Sequence, residues 1–119
     1  MFDSSTEYQM LTIPSNVRLF FCHYPVSMKK SFEGLSIIVE ELFPKELLSG
    51  AFFIFINRRK DCMKVFSWDG DGLAIWYKRL EKGSFSWQWD KNTLLRRREF
   101  VMLLEGITPK RLEKRYHLF

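Results

Sequence analysis

The chain has 119 residues, 46% hydrophobic and 17% aromatic, which suits one domain with a real core and excludes a disordered tail. Lys and Arg outnumber Asp and Glu by 19 to 14, a formal net charge of +5 that favours an anionic partner. No apolar run nears the roughly 20 residues of a membrane span, the amino terminus lacks a signal pattern, and Cys22 and Cys62 have no metal-like spacing. A cytoplasmic protein with two reduced, buried thiols is expected, with no membrane contact and no disulfide or zinc framework.

Residues 1–16 are polar, end in Pro14-Ser15-Asn16 and read as a flexible leader. Val17 to Tyr24 alternates Val17, Leu19 and Phe21 with Arg18, Phe20 and Cys22, a strand ended by Pro25. Ser27 then reads as the N-cap of an amphipathic helix with Met28, Phe32, Leu35, Val39 and Leu42 on its core face and Pro44 at its end. Gly34 inside that helix suggests the close approach of another backbone.

From Ala51 the period switches to two. Ala51–Ile56 is a strand rich in Phe and Ile, Asn57–Asp61 a polar connector, and Met63–Trp68 the next strand. Asp69-Gly70-Asp71-Gly72 reads as a hairpin turn in which at least one glycine takes a positive φ. Leu73–Leu80 follows, then the turn Glu81-Lys82-Gly83, and a last strand through Phe85, Trp87 and Trp89. Asn92 or Thr93 caps a helix to Glu105, with Leu94, Phe100, Val101, Leu104 and Ile107 on its core face and Gly106 at the C′ position. The fold class is α+β: a single domain over 17–107 built on an antiparallel β-meander, with one helix before it and one after it, and a basic tail over 108–119.

The charge is uneven. Residues 1–57 carry a net −2 and residues 58–119 a net +7, so an anion-binding surface should come from the second half. Arg58-Arg59-Lys60 and Lys64 form one basic group; Lys78, Arg79 and Lys82 form another. A hairpin closed at Asp69–Gly72 brings the two to one edge of the sheet. Trp68, Trp76, Tyr77 and Trp87 are interleaved with them as candidate stacking contacts, which together suit phosphate and base recognition. The same composition also suits a small sheet whose Trp and Tyr fill the core while Lys and Arg keep it soluble. Arg96-Arg97-Arg98 spreads around the last helix; Arg97, in the apolar arc, should snorkel or pair with an acid.

Chemistry of other kinds finds little support. Asp69-Gly70-Asp71-Gly72 resembles the start of a calcium loop, but Leu73, Ala74 and Leu80 stand where its later ligands and glycine belong. His23 and His117 are too isolated to build a metal site with the cysteines, and no nucleophile elbow or phosphate-binding glycine motif is present. Asp61, Asp69, Asp71 and Asp90 are the meander's aspartates and mostly hold turn positions, so no catalytic or metal-binding residue and no cofactor is assigned.

The block Asn57-Arg58-Arg59-Lys60-Asp61, Lys64-Val65, Trp68-Asp69-Gly70-Asp71-Gly72 and Trp76–Phe85 resembles a known family signature. Val17-Arg18, Met28–Leu35, Ser49-Gly50 and Leu103–Ile107 extend it. The family is the small second-reading-frame (TnpB-type) accessory protein of bacterial insertion sequences of family sixty-six. The resemblance implies a non-enzymatic protein encoded beside a separate DDE-type transposase and needed for efficient transposition. Its expected partners are element-end DNA, the transposase, or both. Two alternatives are a protein-only docking module for the transposase and a cryptic metal-dependent nuclease. Oligomeric state is not legible.

Overall fold

The computed structural model describes residues 11–85 and 94–105. Five strands form one sheet: β1 (Leu19–Phe21), β2 (Phe52–Ile56), β3 (Cys62–Trp68), β4 (Leu73–Arg79) and β5 (Leu94–Leu95), in the order β4-β3-β2-β1-β5. Helix α1 (Phe32–Leu42) connects β1 to β2, and α2 (Arg97–Leu104) follows β5. The fold is α+β, and β2, β3 and β4 form the expected antiparallel meander. The sheet is mixed, because β1 lies parallel to β2 and antiparallel to β5.

The sheet is covered on both sides. On one face Leu35, Ile38, Val39 and Phe43 of α1 and its C-terminal end pack on Phe53, Phe55 and Phe66. On the other, Phe100 and Leu103 of α2 join Leu19, Phe21, Phe52, Ile54, Ile56, Met63 and Val65. Every residue of β2 is therefore buried, the reason this strand reads as a continuous apolar run rather than an alternation.

Several boundaries differ from the sequence pattern for identifiable reasons. Helix α1 starts at Phe32, not at Met28. Ser27 Oγ accepts from Lys29 N at 3.1 Å and so closes a turn. Lys64 Nζ donates to the carbonyls of Met28 and Lys30 at 2.9 and 2.7 Å, holding this stretch against the sheet. Phe32 is consequently 46% exposed instead of buried. A Cβ at Gly34 would meet the Lys30 side chain at 3.2 Å, so the close neighbour is a side chain and not another backbone.

Leu94 and Leu95, expected inside the last helix, form β5 beside β1. Burial of Leu95 against Leu19 outweighs the local helical pattern. Helix α2 then begins at Arg97, and Arg96 N donates to Glu99 Oε1 at 2.8 Å in place of a cap at Asn92 or Thr93, which lie outside the described residues. The expected strand through Trp87 and Trp89 and the C′ glycine Gly106 also lie outside them. Phe85 is buried in coil, and its N–H donates to Lys60 O at 2.6 Å.

Candidate nucleic-acid interface

The β2–β3 connector is built around one side chain. Asn57 Oδ1 accepts from the N–H groups of Asp61 and Cys62 at 3.1 and 3.0 Å, and Asn57 Nδ2 donates to Asp61 Oδ1 at 2.7 Å. Lys60 N donates to Asn57 O at 3.0 Å, and Lys60 itself takes φ +63°, a left-handed conformation usually left to glycine. Arg58 and Arg59 are thereby presented, exposed, at the tip. The Asn57 hydrogen bond, with smaller contributions from Cys62 and the Arg59 charge, holds the Asp61 carboxyl below the usual carboxylate range.

Pairing of Cys62 with Arg79 sets this turn beside the end of β4. Leu80 N donates to Asp61 O at 2.8 Å, fastening the Arg79–Lys82 stretch to it. Arg58, Arg59, Lys60, Arg79 and Lys82 thus meet at one end of the sheet, with Asp61 and Glu81 the acids among them.

Two expected members do not join them. Lys64 points to the α1 face, is 8% exposed and is held by the Met28 and Lys30 carbonyls. Lys78 points to the opposite face and donates to Leu104 O at 2.8 Å, capping the C-terminal end of α2. Strand alternation separates neighbours in sequence onto opposite faces, so a basic run along β4 is not a basic patch.

The pattern did not mark Lys29. It shares with Ser27, Met28, Asn57, Arg58, Arg59 and Cys62 a shallow, open groove of about 470 Å³ whose lining is mostly apolar. In the sequence Lys29 stands inside the expected helix that follows Ser27, opposite nothing that spacing can identify.

The aromatic candidates separate as well. Tyr77 is 48% exposed, donates from its hydroxyl to Cys62 Sγ at 3.4 Å, and has Lys64 Nζ at 5.4 Å from its ring centroid. That hydrogen bond, followed by partial burial, raises the Tyr77 pKa above its ordinary value. Trp76 packs against the α2-side core. Trp68 sits at the hairpin end of β3, roughly 20 Å along the strand from Cys62. Trp87 lies outside the described residues.

On α2, Arg97 donates to the carbonyls of Pro14 and Ile13 at 2.7 and 2.9 Å, so it pairs with backbone rather than with an acid. Arg96 is beside Glu99, and Arg98 is exposed. Among the described residues no three His, Cys, Asp or Glu side chains are grouped to hold a metal, and no helix is long and apolar enough to cross a membrane.

The profile described as "IS66 Orf2 like protein" matches residues 17–114. The chain belongs to the IS66 Orf2-like family. Two relatives from Sinorhizobium fredii are similar to it. Protein y4hO is 33% identical over 78 residues, covering 66% of this chain and 68% of its own length. Protein y4jC is 27% identical over 101 residues, covering 83% and 86%. No solved structure matches. Membership makes this IS66 Orf2-like protein an accessory protein of insertion-sequence transposition, associated with the transposon machinery.

Proposed function

We propose that the protein serves transposition without catalysing a step itself, by binding element DNA through the end of the sheet formed by the Asn57–Asp61 turn and the Arg79–Lys82 stretch. One observation carries this: the Cys62–Arg79 register gathers Arg58, Arg59, Lys60, Arg79 and Lys82, and the groove adds Lys29. Cations gathered on one edge release counterions from DNA, which gives affinity without sequence preference.

The transposase of the same element is a second partner. Ile37, 59% exposed, stands by helical spacing among Glu33, Glu40 and Glu41 on α1, a surface opposite in charge character to the basic end. A nuclease role has less to stand on, since Asp69 and Asp71 occupy the hairpin tip, at the far end of β3 from Asp61. The test is titration of the full chain with element-end duplex across several salt concentrations, with the transposase present and absent. Binding that weakens steeply with salt supports the proposal. No affinity at low salt without the transposase, and retention by the transposase alone, would leave a protein-docking module. Magnesium- or manganese-dependent nicking abolished by Asp69→Ala or Asp71→Ala, in a folded variant, would make it an enzyme.

A further inference from the structure

The basic end of the sheet is not merely a convex positive surface. Its groove is lined by Lys29, Arg58 and Arg59 together with residues that include Met28 and the buried Cys62. Tyr77 adjoins it through two contacts: its hydroxyl bonds Cys62 Sγ, and Lys64 Nζ, near its ring, bonds the Met28 carbonyl. The groove thus combines three cations, a mostly apolar lining and a half-exposed aromatic ring bonded to its Cys62.

Duplex DNA makes poor use of an apolar lining. Its bases are stacked and paired, and its backbone needs only accessible cations. An unpaired nucleotide matches all three features, with its phosphate on the cations and its planar base on apolar and aromatic surface. A volume of about 470 Å³ lies within the range of small-ligand pockets, about 300–1,000 Å³. The buried Lys64 ammonium, bonded to the Met28 carbonyl and not itself a lining residue, adds positive potential nearby.

We infer that this groove binds single-stranded DNA, seating an unpaired base over Met28 and Cys62 against Tyr77 while Lys29, Arg58 and Arg59 hold the flanking phosphates. The assignment builds on DNA binding by this end of the sheet and specifies the strand state recognised there. Transposition exposes single-stranded segments wherever an element end is cut or joined, so such a site fits the machinery this family belongs to.

The experiment titrates the full chain, at one fixed salt concentration, with an oligothymidine of about 12 nucleotides and with a duplex of equal length. Wild type, Tyr77→Leu, Tyr77→Phe, Met28→Asn and the double variant Arg58→Gln/Arg59→Gln are compared, each first checked by thermal melting. Wild type should prefer the single strand. Tyr77→Leu should weaken single-strand binding by about 5- to 100-fold, as loss of one stacked base does, and leave duplex binding nearly unchanged. Tyr77→Phe should retain the single-strand affinity, which a purely structural role for the hydroxyl–thiol bond would not predict. If Tyr77→Leu does not fold, Met28→Asn carries the same expectation on the groove lining. Arg58→Gln/Arg59→Gln should weaken both ligands. Equal affinity for both, or preference for the duplex, would overturn the single-strand inference and leave DNA binding standing. No binding of either ligand at low salt would remove both.

Discussion

Strand β3 is bounded by two tight turns that do the same mechanical work by different chemistry. At Asp69–Gly72 the chain reverses on glycine: Gly70 takes φ +112°, Asp69 N donates to Gly72 O at 3.0 Å, and the tip carries two acids. At Asn57–Asp61 it reverses on a side chain: Asn57 makes three hydrogen bonds, and Lys60 holds the left-handed position that glycine would adopt without strain. The second solution is the more costly one, and it is the one that places cations at positions 58, 59 and 60. Strain at a position that keeps a charged side chain is what the proposed DNA-binding role of this turn calls for.

The contrast is broken most severely at Asn57. Asn57→Ala leaves the Asp61 and Cys62 N–H groups without their acceptor and should destabilise by about 2–3 kcal/mol, measured by denaturant unfolding. It should also weaken DNA binding, because Arg58 and Arg59 lose their platform. An unchanged midpoint would mean the backbone alone forms the turn.

The opposite turn should respond only in stability. Gly70→Val forces a β-branched residue to positive φ and should lose about 1–3 kcal/mol in a thermal melt, with DNA affinity intact in the folded variant. Gly72 has no positive φ and nothing within 4 Å of an added Cβ, so Gly72→Val should stay within about 0.5 kcal/mol of wild type. Equal losses at both glycines would contradict the assigned turn geometry.

Lys60→Gly separates the two quantities. Relief of left-handed strain should raise stability by about 0.5–1 kcal/mol, while removal of the cation should weaken DNA binding. A variant that gains stability and keeps full affinity would show that Lys60 is not a phosphate contact.

The smallest expected effect is on acidification. The folded-state pKa of Asp61 is lowered below its ordinary value near 3.8, so its contribution is present above that value and is lost as pH falls through the lowered pKa. Asp61 is held by Asn57, so acid should loosen the Asn57–Asp61 turn, seen as slightly less decline of the melting midpoint as pH falls below about 5 in Asp61→Asn than in wild type. Identical declines would place the acid sensitivity elsewhere.

Much of this frame was legible in the residues. Alternation over Met63–Trp68 and Leu73–Arg79, broken by Asp69-Gly70-Asp71-Gly72, defines the hairpin, and the hairpin alone brings Arg58 and Arg79 to one end. Parallel placement of β1 beside β2 was not legible, because a three-residue strand declares no partner, and β5 is only two residues long. The start of α1 was hidden for a similar reason: the Lys64 ammonium that holds the Met28 and Lys30 carbonyls lies 36 and 34 residues away in sequence, respectively. Lys64 and Lys78 look like surface cations by composition, and only their register and facing residues show that each holds backbone carbonyls. Lys29, between the two residues that Lys64 holds, lines the groove.

The most direct test of DNA binding at the Asn57–Asp61 end is the salt dependence of duplex binding in two double variants, Arg58→Gln/Arg59→Gln and Arg96→Gln/Arg98→Gln. Each neutralised phosphate contributes a slope of about −0.9 in log affinity against log salt. Loss of Arg58 and Arg59 should flatten the slope by about 1–2 units and weaken all sequences alike, while loss of Arg96 and Arg98 on α2 should change it much less. A slope retained without Arg58 and Arg59 but lost without Arg96 and Arg98 would place the DNA surface on the helix and contradict the assignment.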